Sequence, residues 1–172
     1  MNPDRNFLAN PRRKLSSTYA AAEFLWYMSR KSTIEALVPY APQYKNFAED
    51  GTAHGAYGNR WATNCEAGDQ IGLLLEVLKA HVESRQAIVT MWDANDLPHA
   101  RTLDKKDMPC TLSYQFRHRH GWLDMICTMR SNDAWLGFPF DVFVNTCLQR
   151  FIAAQLSYRV GWYCHQASSM HL

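Results

Sequence analysis

The spacing of apolar positions along the 172-residue chain changes period several times. Ser16-Ser17-Thr18 supplies side chains that can cap a helix start. The helix that follows runs through Ala20, Glu23, Phe24, Trp26 and Tyr27 to about residue 30, apolar around most of its circumference and so predicted to be well buried. Residues 39–68 contain Pro39, Pro42, Gly51, Gly55, Gly58 and Gly68 and read as one long irregular segment, a length that usually carries function. Residues 69–80 return to helical spacing, with Ile71, Leu74, Leu75 and Leu78 on one face. A short β-like run at 87–92 and a polar, turn-rich stretch at 93–109 come next. Residues 111–117 and 122–129 read as strands joined through His118-Arg119-His120-Gly121, a hairpin signal. Residues 140–156 predict a central buried helix, and 158–164 a last strand. The sum is one α+β domain over 1–172: a mixed, largely antiparallel sheet packed on a long buried helix.

Composition keeps this reading within ordinary globular bounds. The chain is 47% hydrophobic and 20% charged, which argues against disorder. A formal charge of +2 is too small to imply a nucleic-acid partner, though it permits arginines gathered around one phosphate. No apolar run is long enough to span a bilayer, and the polar opening residues 1–14 contain no signal-peptide segment. Five irregularly spaced cysteines, Cys65, Cys110, Cys127, Cys147 and Cys164, predict reduced thiols in a cytoplasmic protein. No Cys-x-x-Cys or His-x-x-x-His pair suggests a metal site.

Candidate chemistry gathers around Cys110. Alone it reads as a small buried hydrophobe, the usual state of a free cysteine. The predicted hairpin, however, returns Arg130 to its side, and a cation stabilises a thiolate. Arg130-Ser131 reads either as a surface strand end or as a phosphate clamp. Asp133 and Asp141 read as helix caps, but Asp141 lies inside the apolar run Phe138-Pro139-Phe140-Asp141-Val142-Phe143, where a carboxylate needs partners. Glu23, within Ala20-Ala21-Ala22-Glu23-Phe24-Leu25-Trp26-Tyr27, is either a helix-surface glutamate or a buried acid suited to proton transfer.

Across nearly its whole length the chain resembles the thymidylate synthase family. The resemblance rests on Glu23-Phe24-Leu25-Trp26-Tyr27, Tyr57-Gly58-Asn59-Arg60-Trp61, Glu83-Ser84-Arg85-Gln86, Pro109-Cys110, Gln115-Phe116, Arg130-Ser131-Asn132-Asp133, Gly137-x-Pro-Phe-Asp141 and His171-Leu172. Within the family it looks most like the cytidylate 5-hydroxymethylase branch. The family's thymidylate synthases have Asn where Asp141 stands. An amide can serve both O4 and N3–H of uracil, whereas a carboxylate accepts from the amino group of cytosine and, if protonated, donates to its N3.

The resemblance implies roles residue by residue. Cys110 would attack C6 of the pyrimidine, with Arg130 and Ser131 on its phosphate and Arg130 helping to keep Cys110 ionised. Glu23 and Tyr57 would order water and move protons near C5. Asp141 would read the base, His171 touch the sugar hydroxyl, and Asp133 and Trp26 face the cofactor, 5,10-methylenetetrahydrofolate. Arg85 would reach the phosphate of the neighbouring subunit in a homodimer. The family usually has two arginines at the position of Arg85-Gln86, and its N-terminal phosphate loop has no clear counterpart before Arg12, where Arg12, Arg13 or Lys14 could substitute. Relatives continue past His171-Leu172 with a Tyr and a closing tail, so a domain without that tail is expected. The competing readings are a methyltransferase of the thymidylate synthase type and a non-catalytic nucleotide-binding protein.

Overall fold

A computed structural model describes residues 12–172; most of the polar opening stretch falls outside them. The fold is organised by a hairpin of β2 (Thr111–Arg119) and β3 (Trp122–Met129), paired antiparallel with Arg119 opposite Trp122 and Thr111 opposite Met129. The turn is the two residues His120 and Gly121, with φ of 49° and 83°. Positive φ at both positions matches the right-handed twist of the strands, which is why a Gly sits there. Strand β1 (Ile88–Thr90) joins the free edge of β2 antiparallel. Strand β5 (Arg159–Ala167) pairs parallel with β3, so the four-stranded sheet runs β1-β2-β3-β5.

A parallel neighbour requires a crossover, supplied by α5 (Phe138–Gln155). Alternation along the strands sends Tyr114, Phe116, Leu123, Met125, Cys127, Met129 and Tyr163 inward, where they are at most 2% exposed. They meet Val142, Leu148, Ile152 and Ala153 of α5, at most 1% exposed. Each large apolar side chain so buried contributes on the order of 2 kcal/mol. A second, two-stranded sheet pairs β4 (Asn132–Asp133) with β6 (Met170–His171). No described helix is long and apolar enough to cross a membrane.

Several boundaries differ from the sequence expectation. Helix α1 (Ser17–Met28) starts as predicted, with Ser16 Oγ accepting from the Tyr19 amide at 3.1 Å, but stops two residues early because Arg30 turns to φ 62°. It buries one face, Ala20, Glu23, Trp26 and Tyr27, while Leu25 is 66% exposed, so it is not buried all round as its apolar circumference predicts. The last strand extends to Ala167. The segment 39–68 is not wholly irregular. It contains a 3-10 turn, Pro42–Asn46, and helix α2 (Tyr57–Thr63). Helix α2 has no capping side chain and an internal glycine, both contrary to local propensity. Packing explains it: a Cβ on Gly58 would stand 2.0 Å from the Tyr27 carbonyl oxygen, so only glycine lets α2 lie against α1.

Between α3 (Gln70–Ala80) and the hairpin, the stretch read as turns contains α4 (Asp96–Thr102). A buried ion pair ties it to α2. Arg60 donates from Nη1 and Nη2 to the two oxygens of Asp96 at 2.9 and 2.8 Å, and His54 Nε2 lies 3.0 Å from Asp96 Oδ1. Asp96 is closed off from solvent, 1% exposed. Burial pushes its carboxyl up, but Arg60, the Asp93 amide and His54 together hold it below the usual carboxylate value. A depressed folded value means that this stabilisation is present above the unfolded pKa and is lost as pH falls through the folded one. Asp96→Asn is therefore expected to destabilise the fold at neutral pH by about 3 kcal/mol, measured by urea unfolding, with the gap to wild type closing in acid.

Candidate active site

Cys110 sits at the mouth of β2, where the strand departs from regular pairing. Thr111 opposes Met129 but Ser113 opposes Thr128, so Leu112 is an extra residue in a β-bulge, a device that re-aims side chains beside active sites. The Arg130 amide donates to the Cys110 carbonyl at 2.8 Å, and its side chain donates from Nε to Pro109 O at 3.0 Å and from Nη2 to Met108 O at 3.2 Å. The structure thus brings Arg130 to Cys110, as the hairpin predicted. The small β4–β6 sheet adds His171, whose Nδ1 lies 3.3 Å from Ser131 Oγ.

Two carboxylates approach from the helices. Glu23, 6% exposed on α1, accepts from Tyr19 Oη at 2.6 Å, with Tyr44 Oη at 3.5 Å from the same oxygen. Burial is the main cause that raises Glu23, to about 7; Tyr19 opposes it and the charge of Asp141 adds to it. Asp141, in the first turn of α5, accepts from Asn132 Nδ2 at 2.7 Å. Burial raises it to about 6 against that hydrogen bond. It keeps some accessible surface, as a ligand-reading group must. Tyr57, on α2, accepts from the Thr111 amide at 3.1 Å and so pins the backbone next to Cys110. Burial pushes Tyr57 well up, with the Asp141 and Cys110 charges adding, so it is a protonated donor.

The thiol is not ionised by this environment alone. Burial pushes Cys110 up, Arg130 pulls it back in part, and Asp141 and Asp107 oppose the thiolate. Arg130 thus favours the thiolate, while burial and the two aspartates oppose it. A bound electrophile or a proton acceptor must complete its activation.

Not every candidate joins the cluster. Trp26 is core: 4% exposed, it packs against Tyr27 and Tyr44 and donates its indole N–H to Thr33 O at 2.8 Å, leaving no face for a cofactor. Asp133 Oδ1 is committed to the amides of Trp135 and Leu136 at 2.8 and 2.6 Å, so its turn-capping role is real. Arg85 is exposed in the turn before β1, its carbonyl held by Gln115 Nε2 at 2.9 Å, and no described hydrogen bond or ion pair links it to Cys110. Arg13 is near the site's rim: it donates to Leu136 O at 3.1 Å and lies over the rings of Phe140 and Trp135. Tyr19 and Tyr44 were missed. Tyr19 is one turn before Glu23, a spacing that could have marked it; nothing in the proline-bearing segment marks Tyr44.

A hairpin-presented thiol, an arginine beside it and two buried carboxylates define an enzyme-like site on an α+β fold. The thymidylate synthase family model matches residues 4–172, and the chain belongs to that family. It is 36% identical over 171 residues to a thymidylate synthase of Bacillus subtilis subsp. natto, covering 93% of this chain and 58% of that protein. It is 28% identical over 175 residues to a deoxyuridylate hydroxymethyltransferase of Pseudomonas phage M6, covering 99% and 48%. Among solved structures, a thermostable thymidylate synthase A from Bacillus subtilis superposes with a TM-score of 0.76 at 28% identity, covering 90% of this chain and 57% of that one. The chain thus spans about half the length of these relatives.

Glu23 gives a pH test. Its folded value, about 7, exceeds the ordinary 4.5, so between these values the unfolded chain holds fewer protons and stability falls as pH rises. Glu23→Gln is expected to remove that fall and to raise stability above pH 7 by up to on the order of 3 kcal/mol, measured as urea midpoints from pH 5 to 8.

Proposed function

We propose that this chain carries out one-carbon transfer to C5 of a pyrimidine nucleoside monophosphate, and that the nucleotide is a cytidylate converted to its 5-hydroxymethyl form. Family membership supports the reaction class. The observation that carries the base assignment is Asp141, a half-buried carboxyl raised to about 6 near Cys110. At neutral pH it exchanges readily between carboxylate and acid, so it can accept from the exocyclic amine and donate to N3, the pattern that cytosine presents and uracil does not.

Cys110 Sγ adds to C6 and makes C5 nucleophilic; Arg130, Ser131 and Arg13 suit the phosphate end, and His171 the sugar. Glu23, half-ionised near pH 7, takes the C5 proton through water that the protonated Tyr57 helps to order. Cys110 leaves C6 when the product forms. The bound 5,10-methylenetetrahydrofolate supplies the carbon at the oxidation level of formaldehyde. The exposed faces of Trp135 and Leu136, 41% and 62%, beside the Asp133 carboxylate fit an aromatic ring that carries N–H donors. The polar group of Glu23, Tyr19 and Tyr44 favours water as the final nucleophile over hydride, giving hydroxymethyl. The naming of both a thymidylate synthase and a hydroxymethyltransferase among the relatives keeps methyl transfer as the second reading.

Release of tritium from C5 of CMP and dCMP, with folate present, tests the reading, and product mass separates hydroxymethyl from methyl. Cys110→Ser is expected to lower release by at least about 10³-fold. Asp141→Asn is expected to shift preference toward uridylates by about a hundredfold. Release from uridylates alone by wild type sinks the base assignment.

A homodimer fits the same reading. Ile88, Trp122 and Trp162, 47%, 43% and 74% exposed, share the outer face of the sheet with Ile126, an apolar surface unusual for a monomer, and Arg85 lies at its β1 edge. Trp162→Glu is expected to yield monomers by light scattering and, with Arg85 no longer shared, to weaken nucleotide binding. A dimer unchanged by this substitution puts the interface elsewhere.

A further inference from the structure

One hydrogen-bonded chain leads from the core to Asp141 and has no place in the chemistry above. Tyr114 Oη lies 2.7 Å from Asn145 Oδ1, and Asn145 Nδ2 lies 3.1 Å from Tyr163 Oη. Tyr163 Oη is 2.7 Å from His165 Nδ1, His165 Nε2 is 3.0 Å from Asn132 Oδ1, and Asn132 Nδ2 is 2.7 Å from Asp141 Oδ2. Alternation along β5 turns Tyr163 and His165 to the same side of the sheet, and β4 carries Asn132 to meet them.

Such a chain can be polarised in two directions, and its two ends decide between them. Tyr114 is fully buried, and Asn145 is its only hydrogen-bond partner among the described residues. If Asn145 presented its amide N–H groups to Tyr114, the Tyr114 hydroxyl proton would be stranded without an acceptor in the core, a cost larger than an unused lone pair. Tyr114 must therefore donate. Asn145 then donates to Tyr163, and also to Cys127 Sγ at 3.4 Å. From the other end, Asn132 donates to Asp141 Oδ2, so its Oδ1 accepts from His165 Nε2–H and the bare Nδ1 accepts from Tyr163. His165 fits this part, because burial lowers it to about 4 and leaves a neutral ring with a single proton. Gly137 closes the last link. A Cβ there would lie 3.2 Å from Asn132 Nδ2 and 3.3 Å from Asp141 Oδ2.

We propose that His165 is a positioning residue for base selection: through Asn132 it fixes Oδ2 of Asp141 as a hydrogen-bond acceptor, so the exocyclic amine of the base docks on Oδ2 and any proton on Asp141 is carried by Oδ1, facing ring N3. This rests on Asp141 as the base-reading residue. A base with a carbonyl at that position would set oxygen against oxygen. The direction of the chain thus adds a repulsive element against uracil to the attraction for cytosine.

The test joins a spectroscopic readout with binding on the full chain. In protein labelled with nitrogen-15 histidine, His165 is expected as the Nε2–H tautomer at neutral pH; an Nδ1–H ring overturns the proposal. His165→Phe keeps the ring that packs edge-on to Phe138 at 5.0 Å but removes the donor. The ratio of dCMP to dUMP affinity, measured by calorimetry, is expected to narrow about tenfold or more. His165→Gln, which restores a donor at the Nε2 position, is expected to recover most of it. An unchanged ratio in folded His165→Phe overturns the proposal while leaving the assignment of cytidylate intact. A wild type that favours dUMP, with a ratio that still changes in His165→Phe, removes that assignment and leaves the positioning role supported. Should His165→Phe fail to fold, Tyr163→Phe removes the hydroxyl that fixes the tautomer, with a several-fold narrowing expected and an unchanged ratio contrary to the proposal.

Discussion

The register of β2 on β3 is the constraint on which the rest depends. The two-residue turn at His120-Gly121 sets which residues face each other, and by the end of the hairpin the Arg130 amide is bonded to the Cys110 carbonyl. A slip of one residue would turn Phe116, Met125 and Cys127 out of the core, so the apolar face enforces the pairing that builds the site. The bulge at Leu112 then adjusts the aim of Cys110 without disturbing the strands beneath it. The site gains its precision from the core because its nucleophile and its arginine are at the ends of core strands.

The helices add chemistry through burial. Glu23 and Asp141 are both pushed up by burial into the range where a carboxyl exchanges its proton near neutrality, and the charge of Asp141 adds to the cost of ionising Glu23. Neighbouring hydrogen bonds decide which atoms remain available: Tyr19 and Tyr44 engage one oxygen of Glu23, and Asn132 engages one of Asp141. The same low-dielectric surroundings keep Cys110 protonated until something else draws the proton away. The Arg60–Asp96 pair is remote from this chemistry but anchors α2, and with it Tyr57, whose hydroxyl fixes the Thr111 amide.

Much of this was legible in the sequence wherever one strong local signal agreed with tertiary packing. The Ser16 cap, the heptad-like face of α3, the hairpin and the apolar run of α5 all satisfied that condition. Helices α2 and α4 did not. Glycine at position 58 and proline at position 98 weaken local propensity, and these helices exist because Gly58 fits against Tyr27 and Asp96 pairs with Arg60 across 36 residues. Among the site residues, Arg130 stands beside Cys110 as the hairpin predicts, with Tyr57 bonded to the next amide and His171 beside Ser131. Trp26 does not, because the periodicity that made it conspicuous is that of the core. Asn132 lies in a motif that gave it no role and His165 in none, since a directed chain of hydrogen bonds depends on atoms that meet only after β4 and β5 are in place.

The central claim is that Cys110 bonds to C6 of a base that Asp141 selects. Intact-mass spectrometry with 5-fluoro nucleotides tests it most directly, because fluorine at C5 cannot depart as a proton does and the covalent adduct persists. With 5,10-methylenetetrahydrofolate present, a mass increase equal to nucleotide plus folate is expected with a 5-fluorocytidylate, mapped to Cys110 by peptide analysis. An adduct with 5-fluorouridylate alone, or on any other residue, or none with either nucleotide, would contradict the account.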